Sequence, residues 1–420
     1  MLPGTFHLAT GGTGGDAFAR AVVVLGALLV LGALLSGVTR RSFLAMTPVF
    51  VVAGFALGRG GLEVLHFSAT SEFVTDVATV ALIVLLFRDG LEVEAELLQK
   101  AWRLPARKLA VALPITCGVV AVVTKAVTDL SWTEAFLVGA LLSPTDPVLS
   151  SGVVTNPRVP RLVRHSLNLE SGLNDGLSLA PVLALVMVLA DSSGFVWWRF
   201  VLQDVGFGLV FGVGLGLLAA LLMPRGRSLQ HSIPAHQQSL FALGVAFATY
   251  GVTVLPPHGN GLISVFVCAI TLGIRRPDIG RAFEQRADDI VEIAKLGVFV
   301  VFGSLLTLGG LFQDGAATVV IAFTALLVAR PLGVVIALAG TGTGRVEQAF
   351  MAWFGPRGVA TMAFSLLVVS ADVGPAGERI FDIAAFCVVC SILAHGLTDT
   401  PGVGWIARRT TEKGQPSGST

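Results

Sequence analysis

Charged residues are scarce in this chain, where they make up 13% of 420 residues. An ordinary soluble domain carries about 25%. The mean hydropathy is +0.81, which excludes a soluble protein and predicts a polytopic membrane protein embedded in a lipid bilayer. The formal net charge is only +1, so the sequence lacks the basic excess that nucleic-acid binding requires.

Cysteine is also rare, with four residues in the whole chain. Each lies in an apolar run, where cysteine packs as a small residue. Cys387 and Cys390 are one helical turn apart, but a pair without further ligands is weak evidence for a metal or redox centre. The glycines near the start follow no predicted strand, which argues against a phosphate-binding loop. The sequence predicts no cofactor.

Long apolar segments dominate what remains, and about 20 such residues span a bilayer as a helix. We count thirteen, which predicts an all-α fold with the chain termini on opposite sides of the membrane. The predicted spans are approximately residues 20–39, 42–58, 70–90, 108–128, 133–152, 163–190, 197–223, 238–255, 259–275, 288–308, 316–339, 347–370 and 380–402. The transmembrane domain is thus expected over residues 20–403.

Basic residues predict the orientation, because lysine and arginine accumulate in cytoplasmic loops. One set of alternate loops and the C-terminal tail hold most of them: Arg40, Arg41, Lys100, Arg103, Arg107, Lys108, Arg158, Arg161, Arg164, Arg225, Arg227, Arg275, Arg276, Arg281, Arg286, Arg345, Arg408, Arg409 and Lys413. The opposite loops hold little beyond Arg59 and Arg379. We therefore expect a multi-pass protein of the cell membrane, with an extracytoplasmic tail over residues 1–19 and a cytoplasmic tail over residues 404–420.

Three carboxylates interrupt the fifth and sixth apolar segments: Asp146, Glu170 and Asp175. A carboxylate at the centre of a membrane helix costs about 2.5–3.5 kcal/mol on insertion scales, so three together indicate a function. Pro144 and Pro147 flank Asp146, and proline removes a backbone donor and clashes with the preceding turn. The fifth helix is therefore predicted to break at the depth of the acids.

A second interruption, WFGPRG around Arg357, lies seven spans later. Interrupted segments in corresponding positions point to a transporter built from inverted repeats, with its site at the breaks. An odd offset makes the two repeats opposite in orientation. The predicted division is repeat 1 at about 20–190, a linker helix at about 197–223 and repeat 2 at about 238–402.

The sixth segment carries the predicted binding groups. Positions four apart share a helix face, so Ser171 lines up with Asp175, and Glu170 lines up with Asn174. A hydroxyl and a carboxylate are hard oxygen ligands, which suit a small cation. The broken fifth helix adds freed backbone carbonyls near Thr145.

Each of these charges also has a structural interpretation. Glu170 is predicted to pair with the buried Arg330, since paired buried charges are the usual arrangement. Asp175 is predicted to be functional, because buried membrane acids usually are.

For Asp146, the alternative to ion binding is compensation of the helix N-termini at the breaks, with Arg357 serving the C-terminal ends. Lys295 either pairs with Glu292 or reaches the core. Asp89 lies at the inner end of the third span.

Together, ESGLND, SPTDP, the ARPLG arginine, the GPRG break and the closing SILAHGLT resemble the monovalent cation/proton antiporters of the NhaP/NHE type. The resemblance implies an NhaA-like fold with broken, crossing helices, and a homodimer with an elevator-like movement. It implies that Asp175 carries cation and proton, with Asn174 as its paired amide. Ser171 and the Thr145 backbone would be further Na⁺ ligands.

By the same resemblance, Glu170 and Arg330 would form a structural ion pair, and Asp146 and Arg357 would balance the crossing. One departure concerns the third span, where family members often place an acid directly after the phenylalanine. Here Arg88 occupies that position and Asp89 follows it.

We therefore expect a transporter, not an enzyme, that exchanges Na⁺ or Li⁺ for H⁺ by alternating access, with competitive binding at Asp175. A K⁺/H⁺ antiporter of the same fold is the nearest alternative. An intramembrane aspartyl protease would need Asp146 and Asp175 to face each other as a dyad. An ion channel would need a continuous lined pore.

Overall fold

The structure is a computed structural model that describes residues 22–24, 26–27, 29–30, 46–93, 102–146, 151–191, 194–224, 233–256, 259–371 and 373–414. These residues form helices joined by short connections, and no strand occurs among them. The predicted tail over residues 1–19 and most of the first predicted span lie outside the described residues.

From residue 46 onward, the described helices are numbered in chain order. They are α1 (Met46–Leu57), α2 (Glu72–Leu91), α3 (Arg103–Val127), α4 (Trp132–Leu141), α5 (Ser151–Val154), α6 (Arg161–Ala190), α7 (Trp197–Leu222), α8 (Ala235–Val254), α9 (Gly261–Arg275), α10 (Pro277–Arg286), α11 (Asp288–Leu305), α12 (Leu308–Leu311), α13 (Ala316–Leu338), α14 (Arg345–Trp353), α15 (Val359–Ser370) and α16 (Pro375–Gly414).

Five of the described helices, α3, α6, α7, α13 and α16, are long and apolar enough to cross a membrane. Four more are apolar but span only 10–17 residues, among them α4, α9 and α15. The prediction of an all-helical polytopic membrane protein is thus confirmed. The helices overlap the predicted spans from the second to the thirteenth, and the number of membrane crossings stays a prediction.

The helices pack as two groups. In the first, α9 packs against α2, α7 and α8, and α11 packs against α1 and α2. In the second, α4 packs against α3 and α6, α13 packs against α3, and α16 packs against α13 and α15. Contacts of α2 with α6 and α15 join the groups, so α6 lies where the two groups meet.

Both interrupted motifs are helix breaks. Helix α4 begins with a capping box, in which Ser131 and Glu134 each accept a backbone N–H of the other residue, and it ends at Leu141. Helix α14 ends at Trp353 and α15 begins at Val359. The prolines at these points predict such breaks, because proline removes a backbone hydrogen-bond donor and clashes with the preceding turn of a helix. The glycines allow neighbouring groups to approach the backbone closely.

The last helix continues past the predicted membrane span. Helix α16 ends at Gly414, and the span boundary at residue 402 stays a prediction. Val403 is 6% exposed and Ile406 0%, and both belong to an apolar cluster with Phe350 and Phe354. This packing extends the helix beyond the stretch that hydropathy alone would assign to the membrane.

Candidate functional site

The two helix breaks cross each other, and Asp146 lies at the crossing. Its backbone N–H donates to the carbonyl of Pro356 at 2.8 Å. Its Oδ2 accepts the N–H of Val359 at 2.9 Å. The carboxylate therefore sits at the N-terminus of α15, where the unsatisfied N–H groups and the positive end of the helix dipole favour a negative charge.

Arg357 makes the complementary contacts and is fully buried. Its Nε donates to the carbonyl of Leu142 at 3.0 Å, just past the end of α4. Its Nη1 donates to Gly355 O at 3.0 Å, and its Nη2 donates to Ala325 O at 2.9 Å. The guanidinium thus meets carbonyls that the broken helices leave without intrahelical partners.

Glycine is required at both ends of this second break. A Cβ at Gly355 would lie 2.0 Å from Arg330 Cζ, and one at Gly358 would lie 2.2 Å from Asp146 Oδ2. Both distances are far below van der Waals contact. The charged groups can approach the backbone here only because these two residues have no side chain.

Helix α6 holds the unwound segment at Thr145. Ser171 Oγ donates to Thr145 O at 2.6 Å. Asn174 Nδ2 donates to Thr145 Oγ1 at 2.8 Å and to Thr145 O at 3.3 Å. The Thr145 carbonyl already accepts two hydrogen bonds, whereas the oxygen of Ser171 keeps its lone pairs for another partner.

Asp175 is 6% exposed and lies one turn beyond Ser171. Its Oδ1 and the Oδ1 of Asn174 are buried without a hydrogen-bond partner among the described residues. Buried polar atoms are normally satisfied, so these two acceptors mark the place where a ligand would gain most. The charges of Asp89, Asp146 and Arg88 act on the Asp175 carboxylate.

A small cavity lies next to these groups. It has a volume of about 10 Å³ and is lined by Thr145, Asp146, Val154, Leu167, Ser171, Phe354, Gly355 and Pro356. That is about the volume that holds one water molecule. Most of its lining is apolar, and Thr145, Asp146 and Ser171 are the polar side chains that border it.

Glu170 faces away from this cavity and lies between two cations. Arg330 Nη1 is 2.8 Å from its Oε1, and Lys108 Nζ is 2.6 Å from its Oε2. Arg330 Nη2 also donates to the carbonyls of Met351 and Phe354, at 3.3 and 3.2 Å. Glu170 thereby connects α6 to α3, α13 and the end of α14.

Lys108 corrects the sequence interpretation, which assigned it to a cytoplasmic loop. It lies inside α3, its side chain is 0% exposed, and its Nζ also donates to the carbonyl of Ser166 at 3.1 Å. The basic run before it concealed its position, because Arg103 and Arg107 belong to the same helix end.

Two π-helical turns support these contacts, one over Lys108–Ala112 in α3 and one over Thr324–Ala329 in α13. Each widens the helix by one residue per turn and occurs mostly at functional sites. The first begins at Lys108, and the second presents the Ala325 carbonyl to Arg357 and ends just before Arg330. Hydrophobic periodicity over so few residues cannot reveal such a turn.

Two weaker candidates are each bound to a neighbouring charge. Lys295 is 2.7 Å from Glu292 on the same helix. Asp89 is buried and its Oδ1 is 2.8 Å from Arg88 Nη2. No group of three His, Cys, Asp or Glu side chains that could hold a metal ion occurs within the described part of the chain.

Helix α16 supports the crossing from behind. Ser391 Oγ accepts the backbone N–H of Arg357 at 2.8 Å. His395 has its Nε2 3.0 Å from the carbonyl of Trp353 and its Nδ1 2.8 Å from the carbonyl of Ser391. One continuous helix therefore holds both sides of the second break.

The family model described as "Sodium/hydrogen exchanger, transmembrane" matches residues 26–405. The chain belongs to this family. Membership confirms the resemblance drawn from the motifs and places this exchanger-family chain among transmembrane transporters. The crossing and the buried acids all fall within the matched residues.

The curated relatives share little sequence identity with this chain, but the similarity extends over most of its length. It is 24% identical over 405 residues to the K⁺/H⁺ antiporter NhaP of Alkalimonas amylolytica, covering 96% of this chain and 69% of that protein. It is 27% identical over 387 residues to the K⁺/H⁺ antiporter NhaP2 of Shewanella oneidensis, covering 90% of this chain and 65% of that protein. The chain thus spans about two thirds of the length of these relatives.

A solved structure shows the same fold. The sodium/proton antiporter MjNhaP1 of Methanocaldococcus jannaschii superimposes with a TM-score of 0.77 at 20% identity, covering 94% of this chain and 99% of that one.

Proposed function

We propose that the chain is a secondary transporter that exchanges a monovalent cation for protons by alternating access. Asp175 binds either the cation or a proton, and the protein changes conformation only when one of them is bound. Na⁺ or Li⁺ is the assigned cation and K⁺ is the alternative. The observation that carries this proposal is the buried Asp175 with its unpartnered Oδ1, beside a crossing whose charges are already balanced.

Competition follows from the chemistry of that carboxylate. Burial favours its neutral, protonated form, whereas a bound cation favours its ionised form. One group can therefore hold either substrate but gains little from holding both. Asp146 is unsuited to this exchange because the N–H of Val359 binds one of its oxygens. Glu170 is unsuited because Lys108 and Arg330 bind its two oxygens.

The remaining ligands are proposed around Asp175. Ser171 would contribute its hydroxyl oxygen to the cation while its O–H donates a hydrogen bond to Thr145 O. Asn174 would orient the unwound segment through Thr145 and offer its own Oδ1. Asp146 and the Thr145 carbonyl would add negative potential from the far side of the small cavity.

The names of similar proteins divide over the cation. The relatives from Alkalimonas amylolytica and Shewanella oneidensis are called K⁺/H⁺ antiporters, whereas the family model and the structure from Methanocaldococcus jannaschii carry sodium in their names. Oxygen donors alone suit both ions. The assignment of Na⁺ follows the names of the family model and of the structure from Methanocaldococcus jannaschii, since a cavity that holds about one water molecule admits either ion.

The architecture is proposed to comprise thirteen spans, with inverted repeats on either side of α7 and the C-terminus in the cytoplasm. Two pairs of features, each seven spans apart, support the repeats. They are the breaks after α4 and after α14, and the π-helical turns of α3 and α13. Assembly as a homodimer with an elevator-like movement completes the proposal.

A dyad protease fits the geometry less well, because Asp146 Oδ2 caps α15 and would have to leave Val359 to share a proton with Asp175. A channel would not need a carboxylate that is 6% exposed with an unpartnered oxygen.

Proteoliposomes that contain a pH-sensitive dye test the function. When an ionophore clamps the voltage, we expect a pulse of external Na⁺ to release protons from the vesicle interior. A pulse of external K⁺ should release fewer protons. Choline provides the osmotic control. Proton movement that is independent of the added cation would instead show a leak, and cleavage of a peptide substrate without proton movement would show a protease.

A further inference from the structure

A second, larger cavity lies on the N-terminal side of α6. It has a volume of about 420 Å³. Its polar lining includes Arg88 and Glu92 of α2, His165 and Asn168 of α6, and Arg281 and Glu284 of α10. The cavity therefore lies between the two helix groups that meet at α6.

This cavity extends towards the candidate site. Val154 lines it and also lines the small cavity that contains Thr145, Asp146 and Ser171. Asn168 precedes Asp175 by two turns on the same helix, about 10 Å along the axis. A cation that approaches Asp175 from this side passes the end of α2, where Arg88 lies.

Arg88 is held rigidly. Its Nη2 is 2.8 Å from Asp89 Oδ1, and its Nε is 3.3 Å from Glu92 Oε1. The helix end itself is pressed onto α9, since a Cβ at Gly90 would lie 2.7 Å from Ala269 Cβ. The Arg88 side chain is 16% exposed and lines the cavity, and it cannot swing into bulk water without breaking both ion pairs.

The guanidinium also acts on the acids of the site. The end of α2 lies against α6 close to Asp175, since a Cβ at Gly172, three residues before it, would lie 3.4 Å from the carbonyl oxygen of Asp89. His165, Arg281 and Glu284 are the other charged or titratable groups that line the cavity. Because arginine keeps its proton at any physiological pH, Arg88 is a permanent positive charge beside a cation site.

We infer that Arg88 sets the cation affinity of the transport site. Its fixed charge, held between Asp89 and Glu92, repels the cation bound at Asp175 and speeds its release into the larger cavity. This inference rests on the proposed function, since it concerns the affinity of the same site. It assigns Arg88 a role in specificity and turnover, without contact with the transported ion.

The test measures the cation concentration for half-maximal exchange in proteoliposomes at alkaline pH, where protons compete least. Arg88→Gln should lower this concentration about tenfold, the size expected when a unit charge several ångströms away is removed from a partly hydrated interior. Arg88→Lys keeps the charge and should leave it within about twofold. Arg281→Gln removes a charge from the same cavity, but one that is exposed to solvent and therefore screened, and it should have no effect.

A second variant keeps the test decisive if Arg88→Gln does not fold. Glu92 is 27% exposed, and Glu92→Gln leaves the charge of Arg88 less compensated, so the half-maximal concentration should rise. Affinity is also read without transport, from the cation concentration that gives half of the thermal stabilisation in detergent. An unchanged or raised value in folded Arg88→Gln, or an equal fall in Arg281→Gln, would overturn the inference. Absence of exchange in the wild type would instead refute the proposed function.

Discussion

Asp146 and Arg357 each neutralise a helix end that belongs to the opposite break. The carboxylate of Asp146 accepts the N–H of Val359, at the start of α15, and the guanidinium of Arg357 donates to the carbonyl of Leu142, at the end of α4. Two charged side chains of opposite sign thus replace the hydrogen bonds that the breaks remove. Of the two aspartates in this region, Asp146 is bound to a helix terminus and Asp175 is not.

Replacing Asp175 tests the centre of the mechanism. Asp175→Asn keeps the shape of the side chain and removes its charge, so exchange should fall below detection while the melting temperature in detergent stays close to wild type or rises. Cation-induced proton release from solubilised protein should disappear with it. Near wild-type coupled exchange in Asp175→Asn would refute the mechanism and make Asp146 the candidate carrier.

The three-membered cluster of Glu170, Lys108 and Arg330 predicts an order of stability losses. Glu170→Ala leaves two buried cations unpaired and should cost about 3–5 kcal/mol, the usual cost of breaking a buried pair. Arg330→Ala and Lys108→Ala should each cost less, because Glu170 keeps one partner. Thermal unfolding in detergent measures the order. Equal losses in all three variants would contradict this order, and a negligible loss in Lys108→Ala would show that the second cation contributes nothing.

Gly358 predicts a steric effect that a matched control isolates. In Gly358→Ala the new methyl group would collide with Asp146 Oδ2, so the hydrogen bond to Val359 is lost and an N–H and a carboxylate remain buried without it. We expect a loss of about 1–3 kcal/mol and a large fall in exchange rate. Gly404→Ala, which meets no atom within 4 Å, should change neither. A Gly358→Ala protein with wild-type melting and exchange would contradict the proposed role of the contact.

The contacts of Arg276 predict a pH-dependent contribution to the stability of the fold, away from the candidate site. It is 4% exposed, and its Nη1 donates to the carbonyls of Ala220 and Met223 at the end of α7. Its Nε and Nη2 donate to Asp278 at 2.9 and 2.8 Å. Arg276→Gln should therefore lower the free energy of unfolding by about 1–3 kcal/mol. Arg275→Gln, at the exposed neighbouring position, should hardly change it.

The pH dependence follows from Asp278. Hydrogen bonds from Arg276 lower the pKa of the Asp278 carboxyl, so the ion pair stabilises the fold above the pKa of an unfolded aspartate, about 3.9. That contribution is lost as the pH falls through the lower folded-state value. The difference in melting temperature between wild type and Asp278→Asn should stay constant from neutral pH down to about 5 and shrink in stronger acid. A difference that grows in acid would show the opposite sign.

The basic loops predict the orientation. With the four native cysteines replaced, a single cysteine at Ser417 should react with a membrane-impermeant thiol reagent only after the cells are opened. A single cysteine at Gly12 should react on intact cells. The reverse pattern would invert the proposed topology.

The sequence predicted the helix breaks and the meeting of Glu170 with Arg330 because these depend on local chemistry. Clustered prolines and glycines interrupt a helix, whereas the single Pro181 inside α6 does not. A buried arginine requires hydrogen-bond acceptors, which an acid supplies to Arg330 and backbone carbonyls supply to Arg357. The position of Lys108 was missed, because a lysine at the end of a basic run has the same pattern whether it faces water or a buried carboxylate. Only the path of α3 past α6 distinguishes the two.

The contacts of Thr145 were also beyond the sequence. Helical spacing placed Ser171 and Asp175 on one face, but it could not show that Ser171 and Asn174 both donate to Thr145 across the gap between two helices. The continuation of α16 past residue 402 was beyond the sequence for a similar reason. Val403 and Ile406 follow the apolar stretch, and their burial depends on Phe350 and Phe354, which are distant in sequence.

The contacts of Ser391 and His395 tie the second break to a helix that reaches far from it. Roughly 20 of the 40 residues of α16, about 30 Å at 1.5 Å per residue, extend past His395. Val403 and Ile406, beyond Pro401 in this part of the helix, pack in one cluster with Phe350 and Phe354. A movement of the binding region should therefore shift the end of α16, and a spectroscopic probe on its last turn would report that movement while lying far enough from Asp175 to leave its chemistry undisturbed.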